Sequence, residues 1–176
     1  MLCQFTQEAE GQVTLADLDF KFDTDIYPVG RLDSDSEGLL VLTNDKRVNQ
    51  RLLNPDKKHP RTYLAQVEGI ADERAIERLC NGVTISINGK KHDTAPANVS
   101  GPIPTPTLPD RNPPIRVRQS VPDCWIQVEV TEGKNRQVRR MCAAVGLPVL
   151  RLVRVKIGDL ELGNMQPGDV LELASL

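Results

Sequence analysis

Apolar and polar residues alternate along this chain more often than they recur at helical spacing, and that period limits the folds open to it. Arg61–Glu68 alternates and stops at Gly69, residues 125–130 alternate again, and Val149–Ile157 and residues 169–173 read as further strands. Residues 83–87 and 90–99 flank Asn88-Gly89, two residues suited to the positive φ of a two-residue hairpin turn. A short apolar run, Leu39-Leu40-Val41-Leu42, is bounded by Gly38 and Thr43-Asn44-Asp45 and reads as a buried strand. Helical spacing occurs in three places. Asn44 or Asp45 caps a segment reaching Leu53 that Asn54-Pro55 stops. Asp72 starts one with Ala75, Ile76 and Leu79 inward, stopped by Asn81-Gly82. A third opens at Glu132-Gly133-Lys134-Asn135 and runs to about Val145, closed by Gly146 and Pro148. Roughly seven strands against three helices, with no regular β-α-β alternation, predict an α+β fold: a mixed, largely antiparallel central sheet flanked by a few helices. Six of the thirteen prolines lie between Gly101 and Pro114, so that stretch is an extended, semi-rigid loop.

The 176 residues suit one domain or two small lobes sharing a core. Aromatic residues are only 3%, so the core is aliphatic and an exposed aromatic calls for a reason. No apolar run approaches the roughly 20 residues of a membrane span. Met1-Leu2-Cys3-Gln4-Phe5 has neither a basic start nor an apolar stretch, so no secretory leader is expected. Four scattered cysteines with no C-x-x-C spacing, and only two histidines, speak against a zinc site or a disulfide framework and for a reducing cytoplasm.

The net charge of −2 conceals a polarity. Residues 1–45 hold ten acids and two bases, whereas residues 111–156 hold ten bases and three acids. Phosphate binding follows the local field, so an acidic chain with so basic a segment can grip nucleic acid.

Three features could carry chemistry. The acidic turn Asp33-x-Asp35-x-Glu37-Gly38 opens like a calcium loop, but its twelfth position is Asn44 rather than a bidentate Glu, and a strand follows. Ser34-x-x-Glu37 has capping-box spacing with no helix after it. Otherwise the turn is a set of solvated carboxylates. In Lys134-Asn135-Arg136-Gln137-Val138-Arg139-Arg140-Met141, four of eight residues are cationic. Helical spacing puts Val138, Met141, Cys142 and Val145 on an apolar side, with Arg136 and Arg139 able to address one cleft. A surface helix with snorkelling arginines is the plain alternative. Tyr63 shares a strand face with Arg61 and is either core or a platform for a nucleobase.

Together these residues resemble a known family. Gly30-Arg31-Leu32-Asp33-x-x-Ser36-Glu37-Gly38-Leu39-Leu40, Thr62-Tyr63-Leu64-Ala65-Gln66-Val67-Glu68-Gly69 and Glu132-Gly133-x-Asn135-Arg136-Gln137-Val138-Arg139-Arg140-Met141 are similar, in order and spacing, to the small-subunit-type pseudouridine synthases. Arg111-Asn112-Pro113-Pro114-Ile115-Arg116 and residues 122–125 look most like the family's E-type branch, which acts on large-subunit ribosomal RNA. The resemblance implies two lobes around a cleft, forming one catalytic domain over 1–176 without a separate RNA-binding module. The family's usual first strand, ending in Asn-Lys-Pro, would precede Met1, which would leave a sheet edge exposed near residues 39–42.

The resemblance also implies an isomerase that breaks the N1–C1′ bond of uridine, turns the base and rejoins it through C5. Asp33 is the implied nucleophile, attacking C1′ or C6, Arg139 its charge partner and Tyr63 the stacking residue, with Val138 against the other face of the base. Asp35 and Glu37 are expected to be turn-forming or solvated. Arg31, Arg61, Arg116, Arg118, Lys134, Arg136 and Arg140 are the expected RNA contacts, with Lys57 and Lys58 extending the track. The expected partner is large-subunit ribosomal RNA, met by a cytoplasmic monomer with no cofactor, metal or membrane. Two rivals remain: a non-catalytic RNA-binding ribosome-assembly protein using only the basic segment, and a calcium-dependent interaction module on Asp33, Asp35 and Glu37.

Overall fold

The strand β4 (Arg61–Glu68) sits at the centre of the molecule, antiparallel to β8 (Asp123–Val130) on one side and to β9 (Val149–Ile157) on the other. In this computed structural model, which describes residues 1–54, 59–115, 118 and 120–174, β7 (Asn98–Ile103) extends the sheet beyond β8, and β10 (Leu160–Glu161) pairs with β9. Among the described residues, the one parallel pairing joins β2 (Glu37–Gly38) to β9. Two small ribbons stand apart: β1 (Tyr27–Pro28) with β3 (Leu42–Thr43), and the hairpin β5 (Thr84–Ile87) with β6 (Lys90–Asp93). The sheet is therefore mixed and largely antiparallel, as the sequence predicts.

Alternation along β4 and β8 buries Ala65, Val67, Ile126 and Val128 on one face. Two helices cover them. Asp72 accepts from the Ala75 amide (2.8 Å) and starts α2 (Glu73–Asn81), which buries Ala75 and Leu79. The helix α3 (Gln137–Ala144) buries Val138, Met141 and Cys142. Burial pushes the Cys142 thiol up to about 12, so it is an inert core residue. A second, smaller cluster gathers Val29, Val41, Leu52 and Ile157 under α1 (Lys46–Leu53), whose N-cap is Asp45. A cleft opens between the two clusters.

Four elements differ from the sequence reading. The apolar run 39–42 is not one strand: β2 ends before it and β3 begins at its last residue. Leu39 donates to the Arg154 carbonyl (2.8 Å), and Val41 accepts from Val29 (2.8 Å). Of this run only Val41 is buried, because the chain crosses from β9 to β1 here and no ladder flanks both sides. Residues 90–99 divide between the hairpin and the main sheet. Residues 169–173 form no strand, and β10 supplies the last pairing instead. The basic helix begins three residues late. Arg136 is left-handed (φ 50°), so Lys134, Asn135 and Arg136 belong to a turn, held by the Gln137 side chain accepting from the Lys134 amide (3.0 Å). The hairpin turn is as expected, with Asn88 and Gly89 at φ 50° and 79°.

Gly38 fixes the approach of the acidic turn to the sheet. It has φ +100°, and a Cβ there would collide with the backbone of Arg154 on β9. Only glycine allows so close a contact in that conformation.

Candidate active site

The left-handed turn at Arg136 and the start of α3 face the acidic turn across the cleft, so charges far apart in sequence meet. The Arg136 guanidinium donates both Nη groups to the Asp35 carboxylate, at 2.8 Å each, and its Nη1 lies 3.7 Å from Asp33 Oδ2. Arg139 sits deeper, with 10% of its side chain exposed. It donates to the Asp35 carbonyl (2.7 Å) and the Val149 carbonyl (3.2 Å), and its Nε lies 3.5 Å from Asp35 Oδ2. The Arg136 hydrogen bonds hold the Asp35 carboxyl below its ordinary value; burial opposes this, and the charge of Arg139 adds to it. Burial lowers Arg139 while Asp35 and Asp33 raise it, so the charge of Asp33 is felt at both arginines.

This arrangement corrects the expected pairing. Arg139 does not pair directly with Asp33: its ion pair is with Asp35, and Arg136 is the cation in range of Asp33. Arg136 starts before the helix rather than on it, and that displacement swings it over the turn. Asp35 and Glu37, expected to be turn-forming or solvated, belong to the turn and to the strand that follows it, and their carboxylates also carry ion pairs. Glu37 accepts from Arg151 (2.8 and 3.1 Å) and lies 3.5 Å from Arg111, while Arg151 also donates to the Pro109 carbonyl (2.7 Å). The proline-rich segment is thereby tied to the acidic turn.

The cleft between these elements encloses about 170 Å³ and is lined by Arg31, Asp33, Tyr63, Lys134, Arg136 and Val138, among others. Tyr63 projects from β4 on the same face as Arg61. Val138 is buried at the first turn of α3. Asp33, Tyr63 and Val138 thus share one small cavity, with Arg139 behind the turn that carries Asp33.

The expected RNA contacts divide. Arg31 and Lys134 are exposed at the cleft, and Arg61 lines it while donating to the Leu52 carbonyl (3.1 Å). Arg140 is turned to Asn135 and to the Ser86 carbonyl, and Arg118 lies 3.4 Å from Glu68, so neither lines the cleft. Arg116, Lys57 and Lys58 lie outside the described residues. At the cleft wall Glu132 accepts from the Ala95 amide and Gln137 (2.9 Å each) and lies 3.3 Å from His92. Burial raises the Glu132 pKa, but these hydrogen bonds outweigh it and the carboxyl is held below its usual value.

Sequence reasoning missed Arg154, a buried arginine of β9 that also lines the cleft. Its signal was a cation at an inward position of an otherwise apolar alternation, Leu152-Val153-Arg154-Val155. Among the described residues no three His, Cys, Asp or Glu side chains group as a metal site, and no helix is long and apolar enough to cross a membrane.

A mixed, largely antiparallel sheet thus carries a cleft that brings a carboxylate and guanidiniums together beside an aromatic ring, a grouping of the kind found in active sites. Residues 1–144 match the family model described as RNA pseudouridylate synthase. The chain belongs to that family and is an isomerase. It is 52% identical over 155 residues to "Ribosomal large subunit pseudouridine synthase E" of Xanthomonas campestris pv. campestris, covering 88% of this chain and 80% of that protein. The protein of the same name from Vibrio parahaemolyticus is 47% identical over 173 residues, 98% of this chain and 69% of its own length. A solved structure titled "Crystal structure of pseudouridylate synthase" superposes with a TM-score of 0.67 at 28% identity, over 84% of this chain and 57% of that one.

Proposed function

We propose that this chain converts a uridine of large-subunit ribosomal RNA to pseudouridine, with Asp33 as nucleophile, in the cytoplasm, as a monomer and without a cofactor. The relatives' names support the choice of RNA. The observation that carries the chemistry is the shared cleft of Asp33, Tyr63 and Val138, with Arg136 3.7 Å from the carboxylate.

A uridine turned out of its stack enters this cleft with Tyr63 against one face and Val138 against the other. Unstacking costs a few kcal/mol, less in loops and bulges. Arg31 and Lys134 at the rim hold the displaced phosphates. Asp33 attacks C1′ or C6, Arg136 and the Arg139-braced turn keep it oriented, and the N1–C1′ bond breaks. The ring turns, C5 bonds to C1′, the carboxylate is released, C5 loses its proton and N1 gains one. Substrate and product are isomers, so the atoms balance with no co-reactant.

Asp33→Asn tests the assignment. Pseudouridine formation in ribosomal RNA, read by mass mapping, should fall by roughly a thousandfold or more, with RNA affinity and melting temperature little changed. Persistent activity would mean that Asp33 is not the nucleophile. A wild-type chain that binds the RNA and leaves every uridine intact would instead favour a non-catalytic binding protein.

A further inference from the structure

Arg154 is only 4% exposed, yet it has no acidic partner among the described residues. Its Nε donates to the Leu39 carbonyl (2.8 Å), and its Nη2 has no hydrogen-bond partner among the described residues. A guanidinium carries five N–H donors, and a buried cation with so few of them used is costly unless something arrives to use the rest. Arg61, which also lines the cleft and donates to the Leu52 carbonyl, likewise has no carboxylate within ion-pair range among the described residues. Burial lowers its pKa, and the charge of Arg154 lowers it further, so the two guanidiniums feel each other.

Their placement says what they await. Arg154 is the β9 cross-strand partner of Tyr63, and the Gly38 end of the acidic turn pairs with it from the other side. Neighbours across a ladder project from the same face. Arg154 therefore lies beside the tyrosine, and Arg61, two residues along β4, projects from the same face of the cleft.

We infer that Arg154, seconded by Arg61, is the group that recognises a carbonyl oxygen of the turned-out pyrimidine and holds the negative charge its ring carries during isomerisation. This rests on the function proposed above. If Asp33 attacks C1′, the electron pair of the C1′–N1 bond leaves with the ring, and the charge spreads onto O2 and O4. If it attacks C6, the charge collects on O4 as an enolate. Either route builds an anion at an oxygen, which a preorganised cation stabilises more than it does the neutral ring. Cytosine, with an amino donor in place of O4, would set donor against donor there.

The test uses the full chain and a short RNA carrying the uridine located by pseudouridine mapping. That uridine is replaced in turn by 2-thiouridine and 4-thiouridine, because sulfur is the poorer acceptor. Single-turnover rates of the wild type should fall about ten- to hundredfold for at least one replacement. Arg154→Gln should show a similar loss with ordinary uridine and little further loss with that thio base. RNA with an abasic sugar at the target, which keeps the phosphates, should bind both enzymes equally. Undiminished wild-type rates with both thio bases overturn the inference, and this arm stands even if Arg154→Gln fails to fold. So does equal loss of affinity for abasic and intact RNA, which would make Arg154 a phosphate contact. Where Arg154→Gln is unstable, Arg61→Gln supplies the variant arm. A wild type that makes no pseudouridine from ordinary uridine fails differently, since it overturns the parent reading.

Discussion

Replacing Gly38 with alanine should detach the acidic turn from the sheet. At φ +100° any side chain is strained, by about 1–2 kcal/mol. The added Cβ would also press against the Arg154 carbonyl oxygen, 2.8 Å from that residue's nitrogen and 2.9 Å from its carbonyl carbon. These are backbone atoms of the central sheet and cannot swing aside as a side-chain tip would, so overpacking adds about 1–3 kcal/mol. The total, about 2–5 kcal/mol, is a large part of the roughly 5–15 kcal/mol that holds a domain folded. It corresponds to a drop in Tm of about 4–20 °C. Gly89→Ala is the control: φ is +79° but a Cβ there meets nothing within 4 Å, so only the backbone strain applies. Urea unfolding of both variants, compared through the midpoint at unchanged slope, isolates the collision. Gly38→Ala should also lose activity, because its strand carries the turn of Asp33. If Gly38→Ala proves no less stable than Gly89→Ala, the close approach of β2 to β9 is wrong.

Other outcomes follow from the charges. Asp35 binds its proton less readily folded than unfolded. Its pair with Arg136 therefore stabilises fully above the ordinary carboxyl value of 3.8, and the contribution is lost as the pH falls through the lower folded value. Because the carboxylate is 42% exposed, the effect is at most about 1 kcal/mol, and Asp35→Asn should flatten the acid limb of the stability curve by that amount. Glu37→Gln leaves Arg151, 13% exposed, without its carboxylate and should cost about 1–3 kcal/mol by thermal melting. It should also speed proteolysis within residues 104–114, which Glu37 tethers through Arg151. Arg139→Met should depress pseudouridine formation far more than Arg140→Met, since only Arg139 braces the turn of Asp33; equal effects would make both of them RNA contacts.

Much of this was written locally. A strand buried on one face must alternate, and a tight hairpin must place residues that accept positive φ, so β4, β8, β9 and the Asn88-Gly89 turn could be read from spacing alone. The caps Asp45 and Asp72 satisfy amides within three residues, and they too were legible. The motifs themselves named Asp33, Tyr63 and the arginine-rich segment. What spacing could not supply was the partner of each charge, because ion pairs here join residues about a hundred positions apart. One left-handed residue, Arg136, moves the helix start and decides that it, not Arg139, reaches Asp33. Residues 39–42 look like a strand by composition, yet a ladder requires a partner strand alongside, and only the assembled sheet determines where partners stand. Arg154 shows the same division. Its place in an apolar alternation is a property of sequence, whereas its position beside Tyr63, with no counter-charge among the described residues, exists only once β9 lies between β4 and the acidic turn.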